Sequence, residues 1–420
     1  MENDFKVWSE IFAMNYHACP YYRVQVPLVN LQKQKFTTSM LSIIDKQNDR
    51  ESSIKKLMYS DIFLNYCPDN SHAHDVIKNK KAAVDEFGKM QVPPAIVYDE
   101  DDNVDFIHPF AEEYAHRGTR TYPDGKLLEE GDTIMYEAPD GKIVPLWEDG
   151  KTKHGKIFNI KHNLMIIAMK HRIIKDSHGA TCPSPALARY WKNVLGQSNV
   201  YVFPNTVDLS DYEFYNVNRR NDKIRILWQG GSSHYIDWWP LKDALKEIAN
   251  KYKDKITFVM YGVKFGWILD AIPDSMIEYH DWTPYAAYRL KRGLLNIDIN
   301  LCPLTDNPFN RCKSAIKWYE GSIWPTPEAT LAQKTGPYLE ITHNENGLLF
   351  SNPREFVEML SSLIDDAALR KRLSMNAKKW VEDNRYPEKT IPGLFDFYLH
   401  TRNKQKRDLG LSPIKLISTV

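Results

Sequence analysis

Cysteine is scarce in this 420-residue chain: Cys19, Cys67, Cys182, Cys302 and Cys312 are the only five, and no two of them form a Cys-x-x-Cys pair. An odd, scattered set argues against a disulfide framework and against a tetrahedral zinc site. No run of 18 apolar residues occurs, so no segment reads as a bilayer-spanning helix, and any membrane link would be peripheral. A charged-then-apolar leader is also missing at the start, which favours a reducing cytosol over secretion. An excess of one charge is lacking as well: 55 Lys and Arg against 54 Asp and Glu leave +1, which argues against a strongly electrostatic nucleic-acid clamp.

What is present describes a soluble globular protein, with 43% hydrophobic and 26% charged residues. The length exceeds one ordinary core and fits two domains. Short apolar runs at 38–44, 62–66, 95–98, 180–182 and 200–203 alternate with helical patterns, and the rhythm repeats at 224–228, 256–261 and 295–301 around helices at 238–253 and 284–293. The fold class expected is therefore α/β, two Rossmann-like doubly wound domains facing a cleft. The boundaries follow: a first domain over 1–210, a polar linker within 208–222, a second domain over 211–385, and a final segment over 386–420 whose tail after Arg402 reads as loosely ordered. Residues 119–156 break the rhythm. Pro-Asp-Gly-Lys at 123 and again at 139 predicts one or two β-hairpins inserted in the first domain, either a surface decoration or an acceptor contact.

Four stretches carry candidate chemistry. In LLNIDINLCPLTDNPFNRCKSAIKWYEGSIWPTPEAT, residues 294–330, a buried strand is followed by an Asp306-Asn307-Pro308 turn suited to starting a helix. A helix from there puts Lys313, Lys317 and Glu320 at i, i+4 and i+7 on one stripe, a spacing that a solvated face with an ordinary Lys/Glu pair also produces. In ILWQGGSSHYIDWW a strand enters a Gly230-Gly231-Ser232-Ser233 turn, whose amides and following helix suit a diphosphate; the turn is neither a Walker loop nor Gly-x-Gly-x-x-Gly, so ATP hydrolysis and nicotinamide chemistry lack their motifs. In IVYDEDDNVDFIHP the carboxylates of Asp99, Glu100, Asp101, Asp102 and Asp105 follow a strand. Crowding raises at least one pKa there, which suits a general base, Asp101 or Asp102 being the choice if one residue acts; an Asp-rich run equally suits a divalent cation, and a solvated acidic turn gives the same pattern. In HACPYYRVQVPLVNL, Arg23 suits an acceptor or a phosphate and Tyr21 and Tyr22 suit stacking on a sugar or base, with core packing as the alternative for the tyrosines.

NPFNRCKSAIKWYEG, with the Gly-Leu-Leu-Phe at 347–350 and the Ser-Ser-His-x-x-Asp of the glycine turn, resembles the C-terminal half of family-4-like glycosyltransferases of the GT-B fold, of the bacterial or phage type that modifies glycans or DNA. The similarity runs from about residue 224 to 384. It implies a donor site made by Gly230, Gly231, Ser232, Ser233, His234, Tyr261, Gly262, Lys313, Ser314, Lys317 and Glu320, and an acceptor side with Tyr21, Tyr22 and Arg23. Catalysis would fall to Asp101 or Asp102, Lys313 and Glu320. No cofactor is required and no metal is favoured, because Lys313 and helix amides would neutralise the leaving diphosphate. A departure stands beside it: the retaining enzymes' Glu-x7-Glu signature aligns Glu320 with its second glutamate and Cys312 with its first, so retention cannot be inferred, and the Glu320/Glu328 spacing imitates the signature without matching it. The implied activity is transfer of a hexose, UDP-sugar favoured, to a polysaccharide or other glycan hydroxyl or to a hydroxymethylated phage DNA base, in the cytoplasm, the host's if the protein is phage-encoded. A GT-B nucleotide-sugar epimerase and a non-catalytic sugar-nucleotide-binding module are the alternatives.

Overall fold

A computed structural model describes residues 5–12, 18–44, 49–68, 70–84, 88, 90–107, 113–118, 121–122, 125–130, 133–137, 143–147, 158–212 and 222–414. The chain divides into two compact units, one formed by Met1–Asp102, Met165–Asp208 and Arg385–Val420, the other by Asn103–Leu164 and Leu209–Asn384. Among the described residues no helix is long and apolar enough to cross a membrane.

The first unit is built on six parallel strands in the order Val200–Val202, Gly179–Cys182, Ala95–Asp99, Ile62–Tyr66, Lys6–Phe12, Thr38–Ile44. Ala95–Asp99 is buried along its whole length, as a parallel strand covered on both faces must be, so it reads as a continuous apolar run ending in a carboxylate. Register places Asp99 beside Tyr66 on one side and Thr181 on the other. One face is covered by the C-terminal helix Pro387–Asp408, whose Ile391, Leu394, Phe395 and Tyr398 pack with Phe5, Val24 and Leu28. That helix corrects the expectation of a loose tail after Arg402. Arg402 is buried and donates to the carbonyl of Pro93 and to Asp61, and Gln405 donates to the same proline carbonyl, so the last turns are docked.

The second unit carries the other six-stranded parallel sheet, ordered Ile277–His280, Ile256–Gly262, Ile224–Gly230, Ile299–Cys302, Ala329–Gln333, Leu348–Phe350. A stacked pair, Trp228 on Trp238 at 3.7 Å between centroids, with Phe265 and Trp267 beside it, fills the core under the first strand-to-helix turn. The single helix expected over 238–253 is three pieces, Tyr235–Trp238, a 3-10 turn Trp239–Leu241 and Lys242–Lys251, because Pro240 lacks the N–H that a continuous helix needs. Residues of the predicted insertion form a four-stranded antiparallel sheet, Ile143–Trp147, Thr133–Glu137, Gly125–Glu130, Thr121–Tyr122, within this unit. Pro123, Asp124, residues 139–141, residues 148–157 and the linker at 213–221 lie outside the described residues.

Candidate functional site

The helix predicted from Pro308 begins as expected: Asn307 caps it, its side chain accepting from the Asn310 N–H, with Pro308 in the first turn. It then ends at Arg311, and a new helix, Ile316–Ser322, starts after Ala315. Lys313 therefore lies in the break, and the i, i+4, i+7 stripe is corrected to two helical residues and one loop residue. The reason is tertiary. Asn310 Nδ2 donates to Asp237 Oδ1 (2.7 Å) and to the Thr305 carbonyl (2.9 Å), which anchors the short helix to Tyr235–Trp238, the helix behind the glycine turn.

The break nonetheless gathers the cations. Lys317 Nζ sits 3.0 Å from His234 Nε2, and His234 Nδ1 sits 2.6 Å from Asp237 Oδ2. Lys313, with its ammonium 4.4 Å from the Phe309 ring centroid, is an electrostatic neighbour of both Lys317 and His234. Burial pushes Lys317 down to about 8, helped by Lys313 and opposed by Cys302 and Asp237, and pushes His234 down to about 4, helped by Lys317. The imidazole is thus neutral at pH 7. These side chains converge on the carboxyl end of the central strand, where Gly230 pairs with Gly262. Both positions require glycine: a Cβ on Gly262, at φ +103°, would lie 2.5 Å from the Gly230 carbonyl oxygen, and one on Gly230 would lie 2.6 Å from the His234 ring. Gly231 is exposed, and Ser232–His234 makes the 3-10 turn that folds the imidazole back.

Glu320 is buried on the same short helix as Lys317 and is held by two tyrosines: the Tyr285 hydroxyl approaches Oε1 at 3.3 Å and the Tyr288 hydroxyl Oε2 at 3.0 Å. Tyr288 also lies 2.8 Å from Gln229 Oε1. One hydroxyl proton cannot serve two acceptors, and turning the Gln229 amide so that it donates completes a chain Gln229 to Tyr288 to Glu320. Burial, then the Glu320 charge, pushes the Tyr288 phenol well above its usual range, so it stays a donor. Tyr261 packs edge-on to Tyr288 and flat on His280, which puts an aromatic wall beside Gly262. Tyr285 and Tyr288 were not read from the sequence; their i, i+3 spacing behind Pro284 was the available signal. Glu328, the other member of the apparent Glu-x7-Glu pair, is buried against Arg292 and takes no part with Glu320's tyrosines.

In the first unit the members of the acidic run differ in their surroundings. Asp99 is bonded to the Arg23 guanidinium (2.9 and 2.6 Å) and to the Thr181 hydroxyl, and Glu100 to Lys170 (2.7 Å) and the Tyr98 hydroxyl. Asp101 and Asp102 are half-buried. Burial, then the Asp102 charge, pushes Asp101 up to about 6 against a hydrogen bond from Cys19 and the charge of Arg23. Arg23 itself is buried, its remaining donors on the Phe203 carbonyl and Asn205 Oδ1, and Tyr21 and Tyr22 are buried beside it. Asp105 lies in the second unit, in the 3-10 turn Val104–Phe106.

Solved structures align with this architecture over nearly the whole chain. An alpha-glucosyltransferase in complex with UDP-glucose and DNA containing an abasic site matches with TM-score 0.57 at 11% identity, covering 94% of this chain and 100% of that one. HepE of Anabaena in complex with UDP-glucose matches with TM-score 0.52 at 10% identity, covering 93% and 98%. The fold is GT-B. These matches cover 93–94% of this chain, which carries two parallel six-stranded sheets. In sequence, 44 residues are 43% identical to glycosyltransferase 1 domain-containing protein 1 of Xenopus tropicalis, a stretch that is 10% of this chain and 13% of that protein. No family model matches the chain.

Proposed function

We propose that this GT-B protein is a hexosyltransferase that takes a nucleotide-activated sugar, a UDP-sugar first among them, and moves the sugar to an acceptor hydroxyl. The observation that supports it above the others is the pair Lys313 and Lys317 beside the Gly230-Gly231 turn, two cations at the carboxyl end of a parallel strand, where open α/β sheets bind ligands. A diphosphate placed there meets both ammonium groups and the amides of Gly231 to Ser233, which stabilise the charge that develops as the sugar–phosphate bond breaks. That supply of positive charge makes a divalent cation unnecessary. Glu320, fixed by its two tyrosines, accepts from ribose or sugar hydroxyls, and Tyr261 offers a ring to the base. Asp101, with an ionisation near pH 6, has a proton affinity suited to accepting the acceptor hydroxyl's proton.

Two of the aligned structures were solved with UDP-glucose and one of those with DNA, which supports a UDP-sugar donor and keeps two acceptor classes in view, a glycan and a hydroxymethylated base. The deciding experiment is nucleotide release and thermal shift across UDP-, GDP- and TDP-sugars, with EDTA present, against a glycan panel and hydroxymethylated DNA. Stabilisation by a UDP-sugar with release of UDP is expected. A silent panel, or unchanged donor affinity in Lys313→Ala with Lys317→Ala, would overturn the reading.

A further inference from the structure

Both nitrogens of the His234 ring are engaged by protein groups, Nδ1 by Asp237 at 2.6 Å and Nε2 by Lys317 at 3.0 Å. An ammonium only donates, so Nε2 must offer its lone pair and the ring proton must sit on Nδ1, donated to Asp237. Asp237 is itself immobile: it is buried, and its other oxygen accepts from the Thr305 N–H (2.9 Å) and from Asn310 Nδ2 (2.7 Å), while the Thr305 hydroxyl donates to the Ile236 carbonyl. The ring has one place to lie, over the Cα of Gly230, where a Cβ would be 2.6 Å from it and 3.3 Å from Lys317 Nζ.

We propose that His234 is the positioning residue for Lys317: a neutral imidazole, fixed in one tautomer by Asp237, that accepts the Lys317 ammonium and holds it over Gly230, acting on the donor only through that lysine. This rests on the donor reading above. The chemistry explains why an imidazole stands there. A carboxylate in its place would cancel the charge meant for the diphosphate, whereas a neutral acceptor orients the ammonium and leaves its charge intact. A lysine side chain has four rotatable bonds, and fixing them at folding removes that ordering cost from the binding step. Burial keeps the ring neutral at pH 7, its ionisation pushed down to about 4.

The test is calorimetric binding of inorganic pyrophosphate and of UDP to the full chain, wild type and His234→Ala, each with and without Lys317→Met. His234→Ala is expected to weaken both ligands about tenfold, to recover on addition of free imidazole, and to have less than a twofold effect once Lys317 is replaced. An equal weakening on the Lys317→Met background means that His234 touches the ligand itself and overturns the proposal, as does no weakening at all. Nitrogen-15 shifts of the His234 ring in the unliganded protein give an arm that needs no ligand and no variant of His234. A neutral ring protonated on Nδ1, whose Nε2 shift moves in Lys317→Met, is expected; a ring protonated on Nε2 overturns the proposal. Failure of wild type to bind either ligand would remove the transferase reading, and the ring shifts would still decide whether His234 holds Lys317 through a neutral Nε2.

Discussion

Replacing Lys317 with methionine is expected to stabilise the protein while disabling it. The side chain's stem keeps its packing and the ammonium is lost. Burial lowers the lysine from about 10.4 in an unfolded chain to about 8 in the folded one. At about 1.36 kcal/mol per unit, holding that charge inside costs the wild type at most about 3 kcal/mol at pH 7. Solvent still reaches part of the side chain, which reduces the figure to roughly 2 kcal/mol. The His234 nitrogen left without a partner returns about 1 kcal/mol of cost. A net gain of about 1 kcal/mol at pH 7 is expected, read by urea titration, while kcat/KM for the donor falls by about 10² to 10³. The pH dependence carries the same signature. Between about pH 8 and 10.4 the unfolded chain still holds the proton that folded Lys317 has released, so wild-type stability rises with pH across that window. Below pH 8 both states hold the proton and the full penalty is present. The advantage of the variant should therefore shrink from pH 8 to 10. A variant less stable than wild type at pH 7, or an advantage that stays constant to pH 10, would refute the argument that Lys317 is a strained, functional cation.

Three further outcomes follow from the same geometry. Gly262→Ala, forced against the Gly230 carbonyl at a positive φ, should cost about 1 to 3 kcal/mol in urea unfolding, whereas Gly266→Ala, exposed and with nothing near its Cβ, should stay within about 0.5 kcal/mol. Arg23→Met leaves Asp99 buried without its cation and should destabilise by about 3 to 5 kcal/mol; a loss under about 1 kcal/mol would mean that the pair is not structural. If Asp101 accepts the acceptor's proton, kcat/KM should fall as pH drops through about 6, because the carboxylate must be ionised. Asp101→Asn should abolish that limb and slow turnover by about 10² to 10⁴.

Much of the fold was legible because parallel strands buried on both faces write themselves as unbroken apolar runs. Ile62–Tyr66 matches the predicted segment residue for residue, and Ile224–Gly230 and Ile256–Gly262 differ only in their last residues. Thr38–Ile44 also matches, although it is an edge strand with Met40 and Ile43 exposed. Ile277–His280, interrupted by Glu278 and His280, and Ala329–Gln333, interrupted by Thr330 and ending in Gln333, escaped because neither reads as an apolar run. In the site, residue types and approximate places were legible: a glycine turn, two lysines, a glutamate, a crowded acidic run. Which of them are available was not.

That division has one physical cause. Local sequence sets backbone preference and side-chain chemistry, so it determined the α/β rhythm, the Asn307-Pro308 helix start and the candidate cations. Partnership is decided by groups far apart in the chain. Arg23 is 76 residues from Asp99, His234 is 83 from Lys317, and Asp237 is 73 from Asn310, which lies in the short helix that ends before Lys313. Only the packed sheets bring such pairs within 3 Å and exclude the water that would otherwise compete. The tertiary structure alone therefore decided that Arg23 pairs with Asp99, that Lys317 meets His234, and that Glu320 faces two tyrosines while Glu328 faces Arg292.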